Sequence, residues 1–456
     1  MKRQLITLAV AALMLSSCGI YNKYQPVTAV PEQLFGTEVV AGDTLSGLAD
    51  LSWRELFTDP QLQTLIEQGL QNNTDLQSAQ WRVEEARASL SAARLAYLPS
   101  FALAPQGTVS SFDKGKASQI YSLPVTSNWE IDIFGRLTNA KRRAKALYAQ
   151  SQEYELAVKT QLIANMANTY YTLLMLDAQL AISEETEVKW KESVRVMQAL
   201  KNAGQGNEAG LAQTEATYYS ICTTVLDLKE QISQVENSLC LMLGETPQSI
   251  RRGKLEYQVL PQELSIGIPL QILANRPDVK AAELALAQAF YTTNEARSAF
   301  YPSITLSGSA GWTNGAGEMI LNPGKLLLSA VGSLTQPLFN NGQNIARLKI
   351  AKAQQEEAKL AFTQSLLNAG AEVNNALKQN QTARQKAGFY TKQITSLQTA
   401  VSSTRLLMQH GSSTYLEVLT AQQTLLTAEL TQVSNRFKEI QGVINLYQAL
   451  GGGRGE

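Results

Sequence analysis

Residues 333–353, SLTQPLFNNGQNIARLKIAKA, place a strand directly before a long helix, and this joint decides the fold. Residues 325–339 are rich in apolar, β-branched and small side chains, which is typical of a strand. The tripeptide NNG at 340–342 supplies turn chemistry, and an apolar-periodic helix follows over residues 344–409. A strand that passes straight into so long a helix is unusual in a soluble domain. It indicates a membrane strand whose helix continues into an aqueous compartment.

The same joint occurs once earlier, in residues 129–146, WEIDIFGRLTNAKRRAKA. We expect four residues to turn the strands into the helices: Phe134, Gly135, Phe339 and Gly342. Two such joints on one chain predict an α+β membrane protein with two tandem repeats.

The composition excludes several function classes. The 456 residues carry 39 basic and 39 acidic groups, so no net charge favours nucleic acid as a partner. No stretch after residue 17 is long and apolar enough for a membrane helix, whereas closed strands are compatible with the weak hydropathy signal.

The N-terminus resembles a bacterial lipoprotein signal. Two basic residues precede a short apolar core, which ends in the sequence LSSC at 15–18. We therefore expect residues 1–17 to be a signal peptide, Cys18 to be lipidated, and residues 18–58 to be an extended segment anchored to outer-membrane lipid. A plain signal peptide or a buried helix is the alternative.

The chain repeats its own order of elements. The first repeat, residues 59–244, has predicted strands at 101–109 and 120–134 and predicted helices at 137–202 and 211–243. After a linker, residues 245–270, the second repeat covers 271–456, with strands at 304–313 and 325–339 and helices at 344–409 and 415–450. Matching motifs lie 203 residues apart at RLAYLPSF and RSAFYPSI, 205 apart at Phe134 and Phe339, and 207 apart at the final LG pairs.

The repeat predicts a symmetric oligomer. Membrane strands must close into a barrel, and known barrels start at about eight strands, so four strands from one chain cannot close alone. A seven-residue apolar repeat from Leu366 to Met408 predicts a left-handed supercoil of helices, each about 100 Å long. A polar tube of packed helices fits this pattern, and a solid coiled coil is the alternative.

These features resemble the TolC-type outer membrane factors, in particular the lipoprotein (NodT-like) branch that serves RND-type efflux pumps. The resemblance covers the mature chain and rests on motifs that are weak singly and specific in this order: NTDL at 73–76, WEIDIFGR at 129–136, RPDV at 276–279, YPSI at 301–304, QPLF at 336–339, and YLEVL at 415–419.

The resemblance implies a homotrimer with a 12-stranded β-barrel and an α-helical periplasmic barrel. It also implies two partners, a periplasmic adaptor and an inner-membrane RND transporter. The helix tips would form a gate, with turns at Gly206, Gly210 and Gly411. Glu417 matches a position where the family often places an acidic ring residue, and Thr420 stands at the second acidic position. A solvated helix charge is the other interpretation of Glu417.

No enzyme chemistry is visible in the sequence. It shows no nucleophile and base set, metal-ligand spacing or phosphate loop, so we expect no enzyme activity, cofactor or metal. The leading hypothesis is an outer-membrane exit duct that conducts drugs or other small toxic molecules. The alternatives are a duct for type I protein secretion and a non-conducting coiled-coil lipoprotein.

Overall fold

The computed structural model describes residues 20–26, 52–111, 113, 115–259, 276–313, 325–410 and 414–453. Its helices are α1 Trp53–Leu56, α2 Pro60–Asn72, α3 Thr74–Leu95, α4 Arg136–Asn202, α5 Glu208–Leu243, α6 Pro277–Ser298, α7 Gln343–Gln409 and α8 Tyr415–Ala449. A 3₁₀ turn, Leu255–Tyr257, follows α5. None of the helices in these ranges combines the length and the apolar character that crossing a membrane requires.

The strands form one antiparallel sheet. They are β1 Ser100–Leu103, β2 Gln106–Ser110, β3 Ser118–Ile131, β4 Ser303–Thr313 and β5 Lys325–Thr335. β1 and β2 both pair with β3, β3 pairs with β4, and β4 pairs with β5. The two repeats therefore meet in the centre of the sheet, at the β3–β4 pair.

Three strand predictions were wrong in detail. The expected strand 101–109 is two shorter strands, β1 and β2, that keep one register against β3. The strands expected to reach residues 134 and 339 end at Ile131 and Thr335, because the residues that follow them adopt the turns that start the helices.

The helices recur along the chain at the predicted offset in one pair and at a different offset in another. α3 and α6 are related by 203 residues at both ends, whereas α4 and α7 are related by 207 at both ends. At the strand-to-helix joint the predicted offset was 205, which aligned Phe134 with Phe339, and this value was wrong for α4 and α7. The change falls in the strand connections, which hold seven residues between Ser110 and Ser118 and eleven between Thr313 and Lys325.

The chain folds into two compact units, each built from both repeats. The first is Met1–Ala29, Trp81–Glu153 and Lys280–Gln364, and it contains the sheet. The second is Val30–Gln80, Tyr154–Val279 and Ser365–Glu456, and it is helical in the described ranges.

The seven-residue repeat of α7 faces the interior of the second unit. Leu366, Val373 and Ile394 are buried at this spacing, as predicted. Asn380 shares the row, and its amide donates to the carbonyl of Glu439 on α8 at 2.9 Å. In return, the amide of Asn435 on α8 donates to the carbonyl of Ala383 at 2.8 Å. Amide side chains of both helices thus link α7 to α8, in addition to the buried apolar row.

The segment before α2 is not wholly extended, contrary to the prediction for residues 18–58. Ser52 and Glu55 form a capping box around α1, and this helix buries Trp53 completely. Asp59 caps α2 and accepts hydrogen bonds from Tyr170 at 2.7 Å and from Gln258 at 2.9 Å. This network ties the start of the first repeat to α4 and to the linker.

Candidate functional site

The first strand-to-helix joint connects β3 to α4. Asp132 caps the helix from outside: its carboxylate accepts from the backbone N–H of Leu137 at 3.0 Å and of Thr138 at 2.7 Å, and from the Thr138 hydroxyl at 2.6 Å. Gly135 has a positive φ of 72°, which allows the chain to turn between strand and helix. A carboxylate at a helix N-terminus also stabilises the helix dipole.

The residues that follow Cys18 dock on this joint. Ile20 is 2% exposed, and its carbonyl accepts from the amide of Asn139 at 3.0 Å. A Cβ atom on Gly135 would lie 3.3 Å from the Ile20 side chain and 3.1 Å from the ring of Tyr21. The Arg142 guanidinium donates to the Tyr21 carbonyl at 3.0 Å. The glycine therefore serves both the turn and the close passage of residues 20–22, which we call the N-terminal strap.

The Tyr21 side chain closes the strap over the joint. Its hydroxyl donates to the carbonyl of Ile133. Burial, and then the nearby Asp132, raises the pKa of Tyr21 above its usual value, so the hydroxyl keeps the proton that it donates.

Phe134 packs within the joint. Its ring stacks on Tyr301 with centroids 5.2 Å apart and an interplanar angle of 18°. Beside it, Arg136 donates to the Glu130 carboxylate at 2.6 Å through Nε. Phe134 therefore fastens the first joint to the second repeat at the start of β4.

The second joint connects β5 to α7 and is more open. Asn341 and Gly342 both have positive φ, at 56° and 77°. At the 207-residue offset the counterpart of Gly135 is Gly342, whereas the 205-residue offset would give Asn340. Phe339 is 84% exposed in the single chain, so it does not repeat the packing of Phe134. The amide of Asn344 fixes the start of the helix by donating to the Ala299 carbonyl at 2.9 Å.

The first helix tip is a tight turn between α4 and α5. Gly204 has a φ of 74°, and the N–H groups of Gly204 and Gln205 bond back to the carbonyls of Lys201 at 3.0 Å and Leu200 at 2.9 Å. This pattern is a Schellman motif, which ends helices at a glycine. The conformationally required glycine is therefore Gly204, whereas the prediction had singled out Gly206 and Gly210.

The two predicted tip glycines, Gly206 and Gly210, lie where a larger side chain would crowd neighbouring atoms. A Cβ atom on Gly206 would lie 3.0 Å from the backbone nitrogen of Lys201, and one on Gly210 would lie 2.9 Å from Met197. The N–H of Gly210 also donates to the Asn207 side chain at 2.8 Å, which caps α5. The earlier cap explains why α5 begins at Glu208 and not at the predicted residue 211.

The second tip contains Glu417 and Thr420. Glu417, the third residue of α8, forms a capping box with Thr414, and its carboxylate accepts from the hydroxyl of Thr414 at 3.2 Å. Leu419 packs in a buried cluster with Trp190 and Ile221, so this face of α8 points inward. Glu417 and Thr420 lie on the exposed side of the helix. Gly411 and Cys18, which is predicted to be lipidated, lie outside the described residues.

Four features of these sites were not singled out from the sequence: the Asp132 cap, the Gly204 turn, the Thr414 cap and the strap. Three of them carry recognisable signals. Asp132 stands just before a helix, Gly204 directly follows one, and Thr414 with Glu417 fits the capping-box spacing. The strap depends on contacts more than 100 residues apart in sequence, for which no local pattern exists.

A cavity of about 880 Å³ lies in the second unit, where no predicted site residue lines it. Arg252 borders it and holds two helices through Asp177 on α4 at 2.5 Å and Glu236 on α5 at 2.5 Å. The hydrogen bond to Asp177 is the main reason that the pKa of Arg252 is raised, despite burial that opposes it. Among the described residues, no group of three or more His, Cys, Asp or Glu side chains could hold a metal ion.

Comparisons with known proteins agree with this arrangement. A family model described as outer membrane efflux protein matches residues 65–245 and 268–452. The chain is 30% identical to the cation efflux system protein CusC of Escherichia coli O6:H1 strain CFT073 over 450 residues, 97% of each chain. It is 28% identical to the probable outer membrane lipoprotein SilC of Salmonella typhimurium, over 99% of each chain. The crystal structure of the open state of the Neisseria gonorrhoeae MtrE outer membrane channel superposes with a TM-score of 0.84 and 28% identity, over 95% of this chain and 97% of that one.

Proposed function

The chain belongs to the outer membrane efflux protein family, and we propose that three copies of it assemble into one duct with a shared barrel and a helical tunnel. Proteins of this family are outer-membrane ducts for efflux and not enzymes, and the chain is such an exit duct. The proposal adds the trimer, the anchor, the gate and the partners.

The open edges of the sheet carry the proposal of a trimer. β1 and β2 form one edge and β5 forms the other, and neither edge has a partner strand among the described residues. Unpaired backbone groups at such edges are costly in lipid. A chain that contributes four strand positions is too short to close a barrel, for which about eight strands are needed. Three chains supply twelve.

The internal repeat predicts how neighbouring chains pair. Within the chain, Ser122 on β3 lies opposite Thr313 on β4. The counterpart of Ser122 at the 207-residue offset is Ser329 on β5, and the counterpart of Thr313 at the 203-residue offset is Ser110 on β2. We therefore expect Ser329 to lie opposite Ser110 of the partner subunit.

Cysteine crosslinking in native outer membranes tests this pairing. The doubly substituted Ser110→Cys/Ser329→Cys protein should form covalent dimers and trimers on mild oxidation, because opposed strand residues lie within disulfide distance, about 4.5–5.5 Å between Cα atoms. Thr108→Cys/Ser329→Cys is the matched control. It would crosslink instead if β3 and β5 were related by 205 residues rather than 207. Wild-type protein controls for Cys222 and Cys240. A chain that stays monomeric in both variants would contradict the shared barrel.

The strap supports the proposal that Cys18 is lipidated and lies close to the membrane. Ile20, two residues after Cys18, is fixed on the first joint, which directly follows a strand of the sheet. The relative SilC is named a lipoprotein. Mass spectrometry of the purified N-terminal peptide should find acyl chains on Cys18, and Cys18→Ser should abolish them. An unmodified thiol in the wild-type peptide would refute the anchor.

The exposed face of α8 supports the proposal of a gate at the helix tips. Three copies of Glu417 around one axis would repel each other and attract cations. In planar bilayers, the purified duct should show low conductance with cation preference, and Glu417→Gln should lower that preference. A reversal potential that is the same for both proteins would exclude Glu417 from the constriction.

The proposed partners are a periplasmic adaptor and an inner-membrane RND transporter that delivers small toxic molecules. The name of CusC specifies cations, so metal ions are included as candidate cargo. Deletion of the gene should raise susceptibility to one of these classes, and the intact chain should restore resistance. Unchanged susceptibility to dyes, detergents, antibiotics and metal salts would count against the efflux of such cargo.

A further inference from the structure

Two helix faces in the first unit are exposed and have no neighbour among the described residues of the single chain. On α3, Trp81 is 71% exposed, and on α7, Leu360 is 70% exposed, with Ile350 also exposed. In the proposed trimer these faces meet, since α3 is the counterpart of α6 and α7 is the counterpart of α4. The contact between α4 and α6 inside the chain is therefore a template for the contact between subunits.

The template contact is polar and charge-balanced. Arg143 on α4 pairs with Glu295 on α6 at 2.9 Å. Two turns along, the amide of Gln288 on α6 donates to Gln150 on α4. Beyond it, Glu153 on α4 pairs with Lys280 on α6 at 3.5 Å, so the glutamine pair is flanked by two ion pairs.

The counterpart positions invert this pattern. At the offsets of 207 for α4 and 203 for α6, Arg143 and Glu295 become Ile350 and Ala92. The glutamine pair becomes Glu357 and Glu85. Glu153 becomes Leu360, so the acidic partner is lost there as well. Lys280 becomes Gln77, so the uncharged centre of the template is replaced by two acids, and its charged flanks are replaced by uncharged side chains.

We propose that Glu357 of each subunit faces Glu85 of the partner subunit, so that three like-charged pairs lie at the junctions between subunits and none at the equivalent junctions within a chain. This inference rests on the proposed trimer and adds the charge of its contacts. Both side chains are exposed in the single chain. Such a pair weakens each subunit junction relative to the junction inside the chain.

The nearby charges leave most of the repulsion in place. Arg82 is the one charged residue that lies three or four positions from Glu85 on α3. No charged residue lies three or four positions from Glu357 on α7. Arg87 is engaged by Glu84 at 3.3 Å. On α7, Lys352 and Lys359 lie five and two positions from Glu357, on other faces of the helix. The charged flanks of α4 and α6 are already paired with each other.

A charge-reversal cycle on the full-length lipidated protein tests the pairing. Glu85→Lys and Glu357→Lys should each lower the monomer fraction at a fixed dilution in detergent by about ten-fold, because each converts three repulsions into attractions. The double variant restores like charges and should return the monomer fraction to near the wild-type value. Glu356→Lys makes the same charge change on another face of α7 and should have little effect, and Arg82→Gln measures the contribution of that guanidinium.

Ionic strength provides a second readout. Added salt should lower the monomer fraction of the wild-type protein and raise that of either single variant, since it screens repulsion and attraction alike. Additive effects of the two lysines, or a salt response of one sign in all variants, would overturn the glutamate pairing while leaving the trimer intact. Failure of the trimer itself would appear in the Ser110→Cys/Ser329→Cys crosslinking, which does not depend on these charges.

Discussion

Replacement of Gly135 by alanine separates the two tasks of the first joint. Gly135 and Gly342 hold the same place in the two repeats and have similar φ values, 72° and 77°. A Cβ atom on Gly342 would meet nothing within 4 Å, whereas one on Gly135 would meet the strap at 3.1 and 3.3 Å. Gly342→Ala is therefore a matched control with the same backbone strain and no contact.

The two variants should differ by the contact alone. An alanine in the left-handed region costs about 1–2 kcal/mol at either position. At Gly135 the strap must also shift, and full exposure of the Ile20 side chain would cost a further ~1.5–3 kcal/mol. That difference corresponds to about a ten-fold to hundred-fold rise in local opening of the strap.

Amide hydrogen exchange by mass spectrometry, on protein in lipid nanodiscs, measures this opening. Peptides that cover residues 20–24 should exchange about ten-fold faster or more in Gly135→Ala, and at the wild-type rate in Gly342→Ala. Exchange in α5 is the internal reference for global destabilisation. Equal rates in the strap of both variants would refute the contact that is assigned to Gly135.

Three further predictions concern the helices of the second unit. Glu417→Gln should keep the protection of the first turn of α8, because glutamine also completes a capping box, whereas Glu417→Ala should lower it by about 1 kcal/mol in hydrogen exchange. Burial opposes ionisation of Asp278, but hydrogen bonding to Arg276 lowers its pKa overall. The ionised carboxylate therefore stabilises the fold fully above the usual aspartate pKa of about 4, and this contribution is lost as the pH falls through the lower folded pKa. Asp278→Asn should accordingly flatten the acid limb of the thermal unfolding profile. Arg252→Met leaves Asp177 and Glu236 without their cation, and Asp177 is about one-third exposed, so we expect a loss of stability of about 1–3 kcal/mol. The loss should be visible as faster hydrogen exchange in residues 250–258. Unchanged exchange there would mean that these ion pairs do not stabilise the linker.

The order of elements could be predicted because each helix and strand carries its own local signal. The two long helices, α4 and α7, were predicted to within one residue at all four ends, where a glycine or an amide-rich turn adjoins a periodic apolar pattern. The offset predicted at the joints was less accurate because that part of the alignment used Phe134 and Phe339, whose identity is the same but whose surroundings differ. Gly135 and Gly342 are the equivalent residues, since backbone conformation and not aromatic identity fixes the turn.

The contacts of the predicted site residues could be inferred from the sequence only in part. Family resemblance pointed to Glu417 as a gate residue. In the structure Glu417 also caps α8 through its contact with Thr414, a role that fits the spacing of the two residues in the sequence. The strap was beyond sequence reasoning because Ile20 and Asn139 are joined only by the folded chain. In the proposed trimer, side chains that are exposed in one chain, such as Phe339, would pack against a second copy, which a single sequence does not describe.

The equal lengths of α4 and α7 constrain how such a gene can diverge. Both helices contain 67 residues, although the repeats share few identical letters and differ by four residues in their strand connections. Loss of one residue inside either helix would rotate every later side chain by about 100° around the helix axis and shift it by about 1.5 Å. Insertions and deletions are therefore tolerated in the strand connections and selected against in the helices. Epitope tags and reporter peptides should accordingly be placed between Ser110 and Ser118 or between Thr313 and Lys325.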